Sequence, residues 1–276
     1  MQHFMIDGFK GFRSRFDHIQ LIQEVLEEVP VRLGLIPAMP PFLLPYYNGV
    51  VPEDCGVSAF VLLNGGHFTL HTFSFREAYF ADMLAPVAFD TRQLRLHLDA
   101  AFPCETQTVN TVQRAPEQLR SVQPDTTADF GPHVFLDLAD FAGPQSMDDL
   151  FTLFDRLPWE IDMTPIMRPY LLKGHTADGR PFLSAVTMIA ESHIILHLFP
   201  DERRAFFDLF SCRFFDTEKV LARLKQLLPG TVLNEAMVGR GSNYRLLRTE
   251  LRDEVAKGQH WLQSIERQKA EGRRQT

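Results

Sequence analysis

One segment of the sequence gathers several groups that could act as a nucleophile, an acid or a base. Its centre is Glu191-Ser192-His193, and a second serine, Ser184, lies eight residues before Ser192. His197 follows the central serine by five residues, and Cys212 follows it by twenty. A hydroxyl or a thiol beside an imidazole can carry out acyl transfer or proton transfer. The segment is therefore a candidate catalytic centre.

An earlier segment keeps only part of this set. Ser58 and His71 occupy the flanking serine and histidine positions, but Gly66 replaces the central serine and Pro86 replaces the cysteine. Each group also has an ordinary structural interpretation, because serine is common in turns and a lone cysteine is often a small buried hydrophobe. Histidines four residues apart on a strand point to one face, which is typical of structural residues too. The spacings specify no Ser/His/Asp triad.

The two segments belong to a longer internal repeat. Residues 58–91 align on residues 184–217 without a gap, and the identical pairs include Ser58/Ser184, His67/His193, Leu70/Leu196, His71/His197, Asp82/Asp208 and Asp90/Asp216. This similarity predicts a degenerate first repeat over residues 1–113 and a second repeat over residues 133–241 that carries the full motif. We expect a linker over residues 114–132, and a C-terminal helix and tail over residues 242–276.

Both repeats show the same order of predicted elements. A strand opens the unit, a helix follows, three strand-like runs come next, and a second helix and a last strand close it. Asp17 and Ser146 are the predicted caps of the first helix in each repeat, and the second helices begin after Asp90 and Asp216. Two such α+β units are expected to pack sheet on sheet, which makes the chain a tandem repeat in a four-layer α/β/β/α sandwich.

Composition excludes several classes of protein. The 276 residues are 45% hydrophobic and 23% charged, with 16 Gly and 18 Pro, so collagen-like and disordered chains are excluded. A net charge of -7 gives no electrostatic footprint for nucleic acid, and no apolar run reaches the roughly 20 residues of a membrane span. The three cysteines suit neither a disulfide framework nor a zinc site, and we expect no metal and a cytoplasmic location.

The second segment as a whole is more specific than any of its residues. Ala190-Glu191-Ser192-His193-Ile194-Ile195-Leu196-His197-Leu198-Phe199-Pro200-Asp201, followed by Phe207-Asp208-Leu209-Phe210-Ser211-Cys212, resembles the S-adenosylmethionine decarboxylase family. The resemblance is to the bacterial and archaeal form, a short single-unit chain that acts as a dimer. Here both units lie in one chain, as in the eukaryotic enzyme.

The resemblance implies that the chain is a zymogen that makes its own cofactor by autocatalytic cleavage. Ser192 Oγ would attack the carbonyl of Glu191, and β-elimination would leave residues 1–191 and a second chain that begins with a pyruvoyl group at position 192. That pyruvate-type ketone would form a Schiff base with a substrate amine and act as the electron sink of a lyase. Cys212 matches the family residue that reprotonates the α-carbon. The pathway implied is polyamine, hence spermidine, biosynthesis.

Family sites lie between two units, so we expect the other repeat to complete the site. Ser58 and His71 are the preferred partners of Ser192, with Ser58 stabilising the intermediate and His71 moving the proton. Ser184 and His197 are the alternative, and they would face the degenerate site. The cleaved chains are expected to stay associated, and association into a homodimer is left open.

The substrate is expected to be a small amino-acid-type molecule. The family favours S-adenosylmethionine, but the position of its ribose-binding carboxylate corresponds to Phe75 in the first repeat and to Asp201 in the second. Glu53 and Asp54 could instead bind a cationic side chain, as in relatives that decarboxylate L-ornithine or L-arginine, or could form a solvated acidic turn. A noncatalytic regulatory partner of another decarboxylase is a further alternative.

Overall fold

Each repeat folds into one antiparallel six-stranded sheet. The computed structural model describes residues 1–47, 55–114, 131–190, 192–212 and 215–241. The first repeat contains β1 (Gln2–Gly11), α1 (Arg13–Phe16), α2 (Ile19–Arg32), β2 (Phe42–Tyr46), β3 (Gly56–Leu63), β4 (Gly66–Phe73), β5 (Ala78–Ala85), α3 (Thr91–Ala101) and β6 (Cys104–Gln113). The second contains β7 (Pro132–Ala139), α4 (Met147–Glu160), β8 (Tyr170–His175), β9 (Pro181–Ile189), β10 (Ser192–Phe199), β11 (Arg204–Ser211), α5 (Thr217–Leu227) and β12 (Thr231–Gly239).

The two sheets have the same topology. The strand order is β2-β3-β4-β5-β1-β6 in the first and β8-β9-β10-β11-β7-β12 in the second. Helices cover the outer face of each sheet, and their buried residues recur every three or four positions, as Ile22, Val25, Leu26 and Val29 do in α2. The inner faces of the sheets pack against each other. The predicted tandem α+β sandwich of four layers is therefore confirmed.

A side chain caps the start of α2, α3, α4 and α5, whereas α1 begins after Phe12 without a side-chain cap. The side chains of Asp90, Ser146 and Asp216 accept hydrogen bonds from the first turns of α3, α4 and α5, as predicted. The prediction for Asp17 is wrong, because His18 caps α2 by accepting a hydrogen bond from the Leu21 amide.

The sequence patterns missed one edge strand in each sheet, β2 and β8. These strands are only partly buried, and β2 contains Pro45, which lacks the amide proton of an interior strand. At the other edge, Arg114 follows β6 directly and is fully buried, whereas we expected the linker to begin there. Most of the expected linker, and all of the expected C-terminal helix and tail, lie outside the described residues.

Strands β3, β4, β5, β10 and β11 are buried along almost their whole length. One face of each meets helices, and the other meets the opposite sheet. Apolar clusters hold the sheets together, for example Phe60 and Leu62 of β3 against Val186, Met188 and Ile195 of the second sheet. Between these clusters lies a layer of buried polar side chains, which positions the candidate site. No helix in the described ranges is both long and apolar enough to cross a membrane.

Candidate active site

A tight hairpin places Ser58 opposite His71. Because Leu63 of β3 pairs with Gly66 of β4, the register carries Ser58 to a position directly across from His71. Both side chains are buried, and Ser58 Oγ and His71 Nδ1 share a hydrogen bond of 2.9 Å. Ser58 and His71 are thus in contact across the two strands, although thirteen residues separate them in sequence.

The other ring nitrogen of His71 reaches the second repeat. His71 Nε2 lies 2.8 Å from Nδ1 of His193, and the two rings are stacked with their centroids 5.1 Å apart. His193 follows Ser192 in the chain. A continuous hydrogen-bonded chain therefore runs from Ser58 through His71 to the residue next to the motif serine.

The same chain occurs a second time with the repeats exchanged. Ser184 Oγ and His197 Nδ1 are 2.8 Å apart, and His197 Nε2 lies 2.8 Å from Nδ1 of His67. His67 follows Gly66, the residue that replaces the motif serine in the first repeat. The chain from Ser184 through His197 thus ends at the residue after Gly66, whereas the chain from Ser58 through His71 ends at the residue after Ser192.

Ser192 begins β10 and is completely buried. It pairs with Ile189 across the β9–β10 hairpin and with Ser211 on the other side. Its Oγ accepts a hydrogen bond of 3.2 Å from the backbone amide of Cys212. Strand pairing thus brings the motif serine and the cysteine position together, although twenty residues separate them in sequence. Glu191 lies outside the described residues.

The equivalent position in the first repeat has no room for a side chain. A Cβ atom added to Gly66 would lie 2.0 Å from the backbone oxygen of Leu84, far inside van der Waals contact. A serine there would require the β4–β5 backbone to move. The replacement of serine by Gly66 is therefore built into the packing of the first sheet.

A wider polar layer surrounds the two hydrogen-bonded chains. Asp82 accepts hydrogen bonds from Thr69, at 2.8 Å, and from Arg240, at 3.1 Å, and its other oxygen lies 3.0 Å from His67 Nε2. In the equivalent arrangement of the second repeat, Asp208 accepts a hydrogen bond from Arg114. The remaining members of the layer, all buried, are His3, Asp7, His133 and Asp137.

Burial controls protonation in this layer. It lowers the pKa of His71 well below the ordinary value, and the neighbouring His193 lowers it further. Burial likewise lowers the pKa of His193 to about 3. For Asp208 burial alone would raise the pKa, but Arg114 and His133 hold it well below its usual range. At neutral pH, His71 and His193 are therefore uncharged imidazoles.

The four predicted substrate-binding residues do not form one cluster. Glu53 and Asp54 lie outside the described residues. Phe75 is 47% exposed and lies in a short turn after β4, at the end of β4 that faces the start of β10. Asp201 is exposed in the β10–β11 turn, at the opposite end of β10 from Ser192. Of these two, only Phe75 lies at the Ser192 end of the interface.

A cavity of about 680 Å³ opens beside Ser211, the strand partner of Ser192. It lies between the end of α4 and the start of α5, where Asp162 and Lys219 form an ion pair and Glu160 pairs with Arg223. None of the predicted site residues that the structure describes lines it. The first repeat has an equivalent but smaller cavity of about 260 Å³, which Pro86 lines.

The comparison with known families agrees with the location of the motif. Residues 133–241 match the family model described as S-adenosylmethionine decarboxylase. The second repeat is thus similar to the S-adenosylmethionine decarboxylase family. Ser192, His193 and Cys212 all lie within the matched region.

Individual relatives share only part of the chain. Two S-adenosylmethionine decarboxylase proenzymes of Clostridium botulinum, from strains Loch Maree / Type A3 and 657 / Type Ba4, are 29% identical over 101 residues, which is 36% of this chain and 83% of theirs. The adenosylmethionine decarboxylase of Aquifex aeolicus VF5 is 15% identical, with a TM-score of 0.37, over 44% of this chain and 96% of that one. An unknown protein from Galdieria sulphuraria is 9% identical, with a TM-score of 0.20, over 82% and 90% of the two chains.

The spacing of the histidines favours a structural role for His193, and no sequence pattern assigns a role in the site to His3, His133, Arg114 or Arg240. A signal for His193 was present, because it is identical to His67 in the aligned repeat. Its contact with His71 could not be read from the sequence, since it depends on how the two sheets face each other.

Proposed function

We propose that this chain is the proenzyme of a pyruvoyl-dependent decarboxylase and that it cuts itself between Glu191 and Ser192. The observation that carries the proposal is the buried Ser192, joined to its surroundings by the Cys212 amide and flanked by the histidine that contacts His71. The similarity of the second repeat to this family and the proenzyme names of the Clostridium botulinum relatives support it.

In self-cleavage, His71 is the residue we assign to proton transfer. Its imidazole is uncharged at neutral pH, and His193 and Ser58 hold the ring from both sides at 2.8 and 2.9 Å. Ser58 is the hydroxyl assigned to stabilising the intermediate. The Cys212 amide donates a hydrogen bond of 3.2 Å to Ser192 Oγ, and we assign it to holding the attacking oxygen in place.

Each chain has one site of this kind. Gly66 has neither the hydroxyl nor the space for one, and Pro86 replaces the cysteine. The first repeat thus contributes Ser58 and His71 to the site at Ser192 in the second repeat. Ser184 and His197 keep the same geometry at the degenerate site, where we assign them a structural role.

A pyruvoyl group at position 192 would supply the electron sink for decarboxylation. The residues of the chain supply its surroundings. Cys212 is 2% exposed and lies in an apolar cluster with Phe9, Phe73, Phe80 and Phe210, which excludes water from the thiol. We assign Cys212 to protonation of the α-carbon of the product.

The two products of cleavage are expected to remain together. The new terminus at position 192 would begin β10, which is hydrogen-bonded to β9 on one side and to β11 on the other. β9 would belong to one product and β10 and β11 to the other. The sheet therefore spans the cut.

S-adenosylmethionine is the proposed substrate, on the strength of the family. One observation favours an amino acid such as L-ornithine or L-arginine as the second candidate. Phe75, the residue at the Ser192 end of the interface where a ribose-binding carboxylate is expected, is apolar and 47% exposed. It cannot accept hydrogen bonds from ribose hydroxyls.

The test is the release of carbon dioxide from each of these three compounds, labelled at the carboxyl carbon. Purified wild-type protein should release it from S-adenosylmethionine, and Ser192→Ala should release none. If carbon dioxide is released from ornithine or arginine but not from S-adenosylmethionine, the amino acid is the substrate and the proposed mechanism stands. An uncut wild-type chain that releases none from any of the three would favour the regulatory partner.

A further inference from the structure

Several nitrogen atoms of the buried layer have no hydrogen-bond partner. Among the described residues, neither ring nitrogen of His3 has a partner, and Nε2 of His193 has none. Both side chains are completely buried. A buried polar atom that is left unsatisfied costs about 1–3 kcal/mol, so these atoms call for an explanation.

Two groups of buried side chains that share Asp82 have the spacing of a small cation site. Ligand-type atoms of His67, Asp82 and His193 all lie within 4.8 Å of one another, and those of His3, Asp82 and His133 do so as well. His67 Nε2 and His3 Nε2 are 3.0 and 3.5 Å from Asp82 Oδ2, and His193 Nε2 is 3.8 Å from Asp82 Oδ1. Two ligands that each lie about 2.0–2.1 Å from a tetrahedral ion are about 3.3 Å apart. Small movements of these side chains would therefore bring their ligand atoms to bonding distance from one ion.

Each imidazole is already oriented through its other nitrogen. His67 Nδ1 lies 2.8 Å from His197, and His193 Nδ1 lies 2.8 Å from His71. If both Nε2 atoms bind an ion, both Nδ1–H groups donate to these neighbours, and His71 and His197 can in turn donate to their serines. Metal-binding histidines are typically fixed by such an outer hydrogen bond.

The charge of the layer also favours a cation. With neutral imidazoles, its four aspartates and two arginines leave a formal charge of −2 in a region closed to solvent; these residues are Asp7, Asp82, Asp137, Asp208, Arg114 and Arg240. One divalent ion balances that charge. Thr69 and Arg240 hold Oδ1 of Asp82, which leaves Oδ2 facing His67 and His3.

We propose that His3, His67, Asp82 and His193 bind one divalent transition-metal ion, with three nitrogen ligands and one oxygen ligand. This donor set suits Zn²⁺. The ion would fix the Nδ1–H of His193 towards His71. The site was not foreseen, because its ligands are scattered from position 3 to position 193 and only the packing of both sheets brings them together. The proposal does not depend on the decarboxylase activity.

The test measures metal directly in tag-free full-length protein that has been folded and purified with Zn²⁺ present. We expect about one Zn²⁺ per chain by elemental analysis after gel filtration. Protein refolded with Co²⁺ should show the visible bands of a four-coordinate ion. Wild-type protein with neither Zn²⁺ nor these bands would overturn the proposal whatever the variants do.

A ligand variant and a matched control locate the site. His3→Phe keeps an aromatic ring but removes both nitrogens, and it should weaken Zn²⁺ binding about ten-fold or more. His175→Ala removes an exposed histidine and should bind as the wild type does. Equal binding by both variants, with unchanged circular dichroism, would show that the metal lies elsewhere and would also overturn the proposal.

Discussion

Replacing His71 or His197 by alanine tests the proposed division of labour between the two repeats. The residues occupy equivalent positions: each is completely buried, bonds a serine at 2.9 or 2.8 Å, and lies 2.8 Å from a histidine of the other repeat. They differ in the turn that they approach. Only His71 contacts the residue that follows Ser192.

The structure therefore predicts similar effects on stability and different effects on cleavage. Either substitution leaves one hydroxyl and one imidazole nitrogen without a partner, at about 1–3 kcal/mol for each atom, so the free energies of unfolding should fall by similar amounts. Loss of a proton-transfer group typically slows a reaction by about 10²–10⁴-fold. His71→Ala should slow cleavage by that factor, and His197→Ala should leave its rate nearly unchanged.

The assay follows the uncut chain by gel electrophoresis after cell-free synthesis, with urea unfolding as the measure of stability. Each variant is the control for the other, because their packing losses match. Normal cleavage of His71→Ala together with failure of His197→Ala would refute the cross-repeat assignment. Equal slowing of both variants would show that cleavage responds to stability and not to a specific histidine.

Three further predictions concern the same layer and the motif. Ser192→Ala should leave a single chain with no activity, as seen by electrophoresis and carbon dioxide release. Cys212→Ala should still be cleaved, but its product should form about 10²–10⁴-fold more slowly or incorporate solvent deuterium at the wrong position. Burial lowers the pKa of His133 and His193 to about 3, so the unfolded chain binds more protons below pH 6.5 and stability falls as the pH falls. From pH 7.5 to pH 5 these two residues should lower the free energy of unfolding by about 4 kcal/mol, measured by urea unfolding with a chelator present. A urea midpoint that stays constant over this range would contradict the burial of the two histidines.

The internal repeat made much of the fold predictable. Two aligned copies disclose the same order of elements, and side chains such as Asp90 and Ser146 mark helix starts through local hydrogen bonds. The edge strands β2 and β8 escaped prediction because they are only partly buried and carry a weak pattern. His18 takes the place predicted for Asp17 because Asp17 already ends the preceding helix α1, and His18 is the residue with the non-helical backbone angles of a cap.

The candidate site was predictable within each sheet but not between the sheets. A tight hairpin fixes the register, so the pairing of Ser58 with His71 follows from local structure. The contact between His71 and His193 depends on which faces of two sheets meet and on how they are aligned. No spacing in the sequence encodes that alignment, and the same is true of the buried aspartates and arginines.

The most direct test of the proposed function is the denatured intact mass of the purified wild-type chain. Self-cleavage between Glu191 and Ser192 should give two polypeptides, residues 1–191 and 192–276, the second with the mass of an N-terminal pyruvoyl group in place of serine. A single polypeptide with the mass of the uncut chain, after incubation that leaves the fold intact, would contradict it.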